Sequence, residues 1–178
     1  MSPRTRATID DLYRVPENGK AELVDGEIVL MPPTGGIPGR SGGRIYISLD
    51  DYERRTGRGY AFPDNVGFVV DLPHRGSFSP DAAFHPGPLQ GGRFLSGAPV
   101  FAAEVRSETD YGEMAEKRAD YFAAGTLVVW DVDVLRERIV RVYRTGAPDQ
   151  PTIYRSGDVA EAESALPGWS MPVDDFLP

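Results

Sequence analysis

Residues 100–105, Val-Phe-Ala-Ala-Glu-Val, form a nearly unbroken apolar run. A run so short and so apolar predicts a strand covered on both faces, which obliges the chain to lay other elements over both sides of a sheet. Glu104 is the exception within it. An ionised carboxylate in such a strand is costly unless a cation compensates it. Three compensations are in reach of the sequence: a metal ion, Arg106 two residues on and on the same strand face, or Lys117 from the segment that follows.

The neighbouring patterns fill in the rest. Thr8-Ile9-Asp10-Asp11-Leu12 predicts a short helix with Thr8 as N-cap and acids in its first turn. Ala21 to Val24 and Glu27 to Met31 flank Asp25-Gly26, a strong hairpin signal. Residues 32–39, with three prolines and three glycines, read as a loop. Ile45, Leu49 and Tyr52 then recur at helical spacing between Arg40 and Arg55, with Gly57 as the stop.

Further strands are expected at Val66 to Asp71, Asp81 to His85, Leu127 to Val132 and Arg138 to Arg144, the last near a sheet edge. A helix from Asp110 to Ala124, stopped by Gly125, lies among them. From Pro148 onward the chain reads as irregular, fastened by Trp169, Met171, Phe176 and Leu177. The pattern amounts to one α/β (α+β mixed) domain over residues 1–178, a mixed β-sheet flanked by helices.

Composition narrows the chemistry. There is no cysteine, and His74 and His85 are the only histidines. Disulfides, thiolate zinc sites, iron–sulfur clusters and cysteine nucleophiles are excluded, and a metal site must be built mainly from carboxylates, which suits Mg²⁺ or Mn²⁺. No apolar run approaches the length of a membrane span, and charges between Met1 and Arg14 interrupt the place of a signal-peptide core, so a cytoplasmic protein is expected. The net charge of −8 is uneven, because residues 147–178 hold six acids against one basic residue. Charge therefore permits a nucleic-acid partner without indicating one.

Ser79-Pro80-Asp81 followed by Glu104-Val105-Arg106 resembles the PD-(D/E)xK pattern of restriction-endonuclease-like nucleases, with arginine at the lysine position. Together with Glu22-Leu23-Val24-Asp25-Gly26-Glu27, Ser107, Lys117 with Tyr121, Gly125 and Pro167-Gly168, the set resembles the Uma-two family of restriction endonucleases from about Thr8 to Leu177. The resemblance implies a restriction-endonuclease-like core with an N-terminal β-hairpin. It also implies that the pattern's lysine has moved to the following helix, at Lys117, and that Glu22 adds a third carboxylate. Asp81 and Glu104 are the expected ligands of Mg²⁺ or Mn²⁺, and Asp81, Glu104, Lys117 and Glu22 the expected catalytic set.

The function so implied is Mg-dependent hydrolysis of DNA phosphodiester bonds by a cytoplasmic endonuclease, possible as a homodimer. Its rivals are an inactive nuclease fold that binds nucleic acid or protein, and a phosphoesterase for small substrates. Arg106 stands where the family has an apolar residue, and an Arg106–Glu104 ion pair in the metal's place would favour the inactive form.

Overall fold

The structure, a computed structural model, describes residues 6–16, 19–89, 91–92, 94–108 and 113–178. The expected helix start at Asp110 and Tyr111 and the first five residues of the chain lie outside these. Helix α1 (Ile9–Leu12) begins with a reciprocal cap: Thr8 Oγ1 accepts from the Asp11 N–H, and the Asp11 carboxylate accepts from the Thr8 N–H at 2.9 Å. Strands β1 (Lys20–Val24) and β2 (Glu27–Met31) form the expected hairpin. Its turn residues Asp25 and Gly26 have φ of 52° and 75°, the left-handed pair that a two-residue turn between twisted strands requires.

Helix α2 (Gly36–Thr56) starts earlier than the loop reading of residues 32–39 allows. Pro38 falls in its first turn, where the missing N–H has no helical acceptor to lose. Ile45, Leu49 and Tyr52 are buried on one side, and Gly57, at φ 63°, ends the helix by donating its N–H to Glu53 O.

Six strands make the main sheet, in the order β11 (Ala147–Tyr154), β10 (Ile139–Arg144), β9 (Val128–Asp133), β8 (Phe101–Val105), β6 (Ala82–His85) and β3 (Tyr60–Pro63). The apolar run is thus interior, as its composition requires. Strands β8 and β9 are parallel and the other neighbours antiparallel, so the sheet is mixed. Helix α3 (Met114–Ala123) lies in the crossover that joins the parallel pair.

Alternation along β8 divides the interior in two. Phe101, Ala103 and Val105 pack with Ile45, Leu49 and Tyr52 of α2 and with Trp169, Met171 and Phe176 of the tail. Ala102 faces the other way, toward Tyr121 of α3 and the small sheet of β4 (Phe68–Val69), β5 (Ser77–Phe78) and β7 (Leu95–Ser96). Glu104 shares the face of Ala102.

Two further expectations need correction. The Val66 to Asp71 strand shrinks to β4, outside the main sheet. Strand β10 lies next to the sheet edge, as expected, but the segment read as irregular supplies the edge strand itself, β11. Pro148 and Pro151 obscure that strand in the sequence, yet an edge tolerates residues that cannot donate to a ladder. Strand β3, four residues long, was hidden by its brevity. The C-terminal part also holds β12 (Val159–Glu161) paired with β13 (Ser170–Pro172), and a 3-10 turn at Val173–Asp175.

Candidate active site

The ends of β6 and β8 set the geometry. Their register pairs Ala82 with Ala103, and Asp81, immediately before β6, and Glu104, near the end of β8, line the same cavity. The Asp81 N–H donates to Ala103 O at 3.1 Å, while its Oδ2 accepts from the Val105 N–H at 2.7 Å and its Oδ1 from Lys20 Nζ at 2.8 Å. The proline before Asp81 thus begins a strand whose first carboxylate caps the neighbouring strand's end instead of its own turn.

Helix α3 supplies the facing side. Lys117 and Tyr121 are one turn apart and point to the same place. Lys117 Nζ lies 2.9 Å from Glu104 Oε1 and 2.9 Å from Glu22 Oε1, so its side chain serves the site and not a surface pair with Glu113. The Tyr121 hydroxyl donates to Glu104 Oε1 at 2.6 Å, and its ring stacks on Phe78 with centroids 4.0 Å apart.

The hairpin brings Glu22 inward, where it is buried. It is held on both oxygens: Oε1 also accepts from the Ser79 N–H at 2.8 Å, and Oε2 from Arg75 Nη1 at 2.7 Å. The hairpin sits this close because Gly76 lies under Leu23, where a Cβ would come within 2.6 Å of Leu23 Cδ2. All four expected residues, Asp81, Glu104, Lys117 and Glu22, therefore line one cavity of about 530 Å³, walled by β2, residues 32–34 and the start of α3.

The family model described as "Putative restriction endonuclease" (Uma2) matches residues 8–174, nearly the whole chain. The chain belongs to the Uma2 (Uma-two) family. The crystal structure of "a putative nuclease belonging to DUF820 from Anabaena variabilis ATCC 29413" superposes with a TM-score of 0.77 over 96% of this chain and 97% of that one, at 18% identity. That likeness establishes the restriction-endonuclease-like fold. No curated protein sequence matches.

The electrostatics of this Uma2 site follow from how two lysines are shared among its acids. Burial raises the Glu104 carboxyl, Lys117 only partly offsets this, and Asp81 and Glu22 push it further, to a pKa of about 7. Glu22 is equally buried, but Lys117, Arg75 and the Ser79 N–H hold it below the ordinary glutamate value. Burial pulls both lysines down, and their carboxylates more than restore them, so Lys20 and Lys117 stay above the ordinary lysine value and remain ammonium ions. Burial and the two glutamates raise Tyr121 well above the usual phenol, which keeps its hydroxyl a donor.

Arg106 does not make the ion pair with Glu104 that the inactive reading requires. Its guanidinium forks onto Asp131 of β9, Nε to Oδ1 at 2.5 Å and Nη2 to Oδ2 at 2.6 Å. Asp131 is fully buried and stands beside Glu104 in the parallel register, so it presents a second carboxylate that the arginine satisfies. Four further residues of the site were missed in the sequence: Lys20, Asp64, Arg75 and Asp120. Arg75 Nε donates to Asp120 Oδ2 at 2.6 Å, and Asp120 Oδ1 lies 2.5 Å from His74 Nε2. For Asp120, its place three residues after Lys117 on the same helix was the available signal.

The donor set fits a hard divalent cation. Asp81 and Glu104 line one cavity, and among the described residues the bonds to Glu104 all fall on Oε1 and none on Oε2. Among the described residues no three His, Asp or Glu side chains gather as a ready ligand group. Two carboxylates with water and phosphate oxygens completing the shell are the usual arrangement for Mg²⁺. No helix among the described residues is long and apolar enough to cross a membrane.

Proposed function

We propose that this Uma2 protein is a Mg²⁺- or Mn²⁺-dependent nuclease that hydrolyses phosphodiester bonds in DNA. The observation that carries the reading is the convergence of Asp81, Glu104, Glu22 and Lys117 from two strand ends, a hairpin and a helix into one cavity. Asp81 and Glu104 would hold the cation, which when bound polarises the phosphate and acidifies a water. Lys117 carries its charge on a compact ammonium, suited to neutralise a phosphate oxygen or orient the attacking water. Glu22, fixed on both oxygens, holds Lys117 in place, and Tyr121 fixes the orientation of Glu104.

The inactive-fold alternative loses its chief motive, since Arg106 is committed to Asp131. The deciding experiment is cleavage of several DNA forms with Mg²⁺ or Mn²⁺ by wild type and by Lys117→Ala. Loss of one positioned electrostatic or acid–base group predicts a fall of roughly 100-fold or more, with the fold intact by circular dichroism. Equal cutting by Lys117→Ala would refute the lysine's role, and no cutting by wild type would turn the assignment toward a binding protein.

A further inference from the structure

Only two of the 19 Lys and Arg residues are lysines, Lys20 and Lys117, and both line the same cavity. They are used alike. Lys117 spans Glu22 and Glu104 at 2.9 Å each, and Lys20 spans Asp81 at 2.8 Å and Asp64 at 2.7 Å. Their side chains are almost equally enclosed, 13% exposed for Lys20 and 14% for Lys117.

An ammonium group has three N–H donors, so each lysine keeps one beyond the two engaged by carboxylates. A guanidinium, with its donors in one plane, could not bridge two carboxylates and aim a further donor out of that plane. In a chain that otherwise prefers arginine, lysine stands at the two positions where this geometry is used. The partners of Lys20 are unequal. Asp81 is nearly buried and anchored on β8 by the Val105 N–H, whereas the Asp64 side chain is 42% exposed, in the segment just after β3. Asp64 is therefore the arm that can be exchanged.

We propose that Lys20 is a second phosphate-binding residue of the site, which gives its remaining N–H to a phosphate oxygen of a nucleic-acid backbone while Lys117 does so from α3, with Asp64 restraining Lys20 when no phosphate is present. This rests on the nuclease reading and extends it to a residue outside the family-like motif.

The test is fluorescence anisotropy of a short labelled DNA duplex, titrated at several salt concentrations with Ca²⁺ replacing Mg²⁺ so that binding is followed without turnover. Lys20→Met should bind about tenfold more weakly and lower the slope of log affinity against log salt by about 1, the signature of one lost phosphate contact. Lys20→Arg should recover most of the slope. Asp64→Asn should tighten binding in the wild-type background and not in Lys20→Met, because its effect passes through the lysine it releases. Should Lys20→Met not fold, Lys20→Gln takes its place in the cycle.

Wild-type affinity and slope in Lys20→Met, or an equal gain from Asp64→Asn in both backgrounds, overturns the proposal. A protein that loses affinity on Lys117→Ala but not on Lys20→Met removes Lys20 alone and leaves the nuclease reading standing. A wild type that binds no DNA overturns both.

Discussion

Glu104→Gln isolates the electrostatic cost carried by the central strand. The carboxyl is raised from 4.5 to about 7 by burial, with Lys117 divided between it and Glu22. A folded pKa above the unfolded one means that the group's contribution is fully present below about pH 4.5 and is lost as pH climbs through about 7. At roughly 1.4 kcal/mol per pKa unit the loss amounts to about 3 kcal/mol by about pH 8. Glutamine still accepts the Tyr121 hydroxyl and never ionises. The stability of Glu104→Gln relative to wild type should therefore rise by about 3 kcal/mol across that range, whatever its offset at low pH from weakening the Lys117 contact. Urea unfolding with chelator at a series of pH values measures this directly. A difference that stays constant with pH would refute the claim that Glu104 is an undercompensated buried charge. Mg²⁺ added at the alkaline end should narrow the gap by stabilising wild type alone, since a cation favours the ionised carboxylate.

Two other outcomes follow from the same geometry. Mn²⁺ should raise the melting temperature of wild type, and Asp81→Asn should abolish most of the rise in thermal-shift measurements; an equal rise in both would place the cation elsewhere. Arg106→Leu, although it introduces the apolar residue type of the family, should destabilise by about 3–5 kcal/mol in denaturant unfolding because it strands the buried Asp131, and adding Asp131→Asn should recover part of the loss. A stable Arg106→Leu would show that Asp131 does not depend on that fork.

The sequence by itself determined the parts governed by local rules. The Asp25-Gly26 turn, the Thr8 cap, the apolar helix face of Ile45, Leu49 and Tyr52, and the covered strand around Glu104 each depend on residues a few positions apart, and each appears where the pattern puts it. Family-like motifs added Asp81, Glu104, Lys117 and Glu22, which the structure brings into one cavity. What only the tertiary structure decided was which charge meets which. Arg106 had Glu104 two residues away and turned to Asp131, because a parallel strand 25 positions downstream set a fully buried carboxylate beside it. Lys20 and Asp64 carried no motif, and Arg75 and Asp120 meet across 45 positions. Ion pairs in a low-dielectric interior are fixed by distance and desolvation, and those depend on how strands pair and helices pack rather than on spacing along the chain. The edge strand β11 depended on the same thing, since two prolines that argue against a strand in isolation are harmless once one side of it faces no partner.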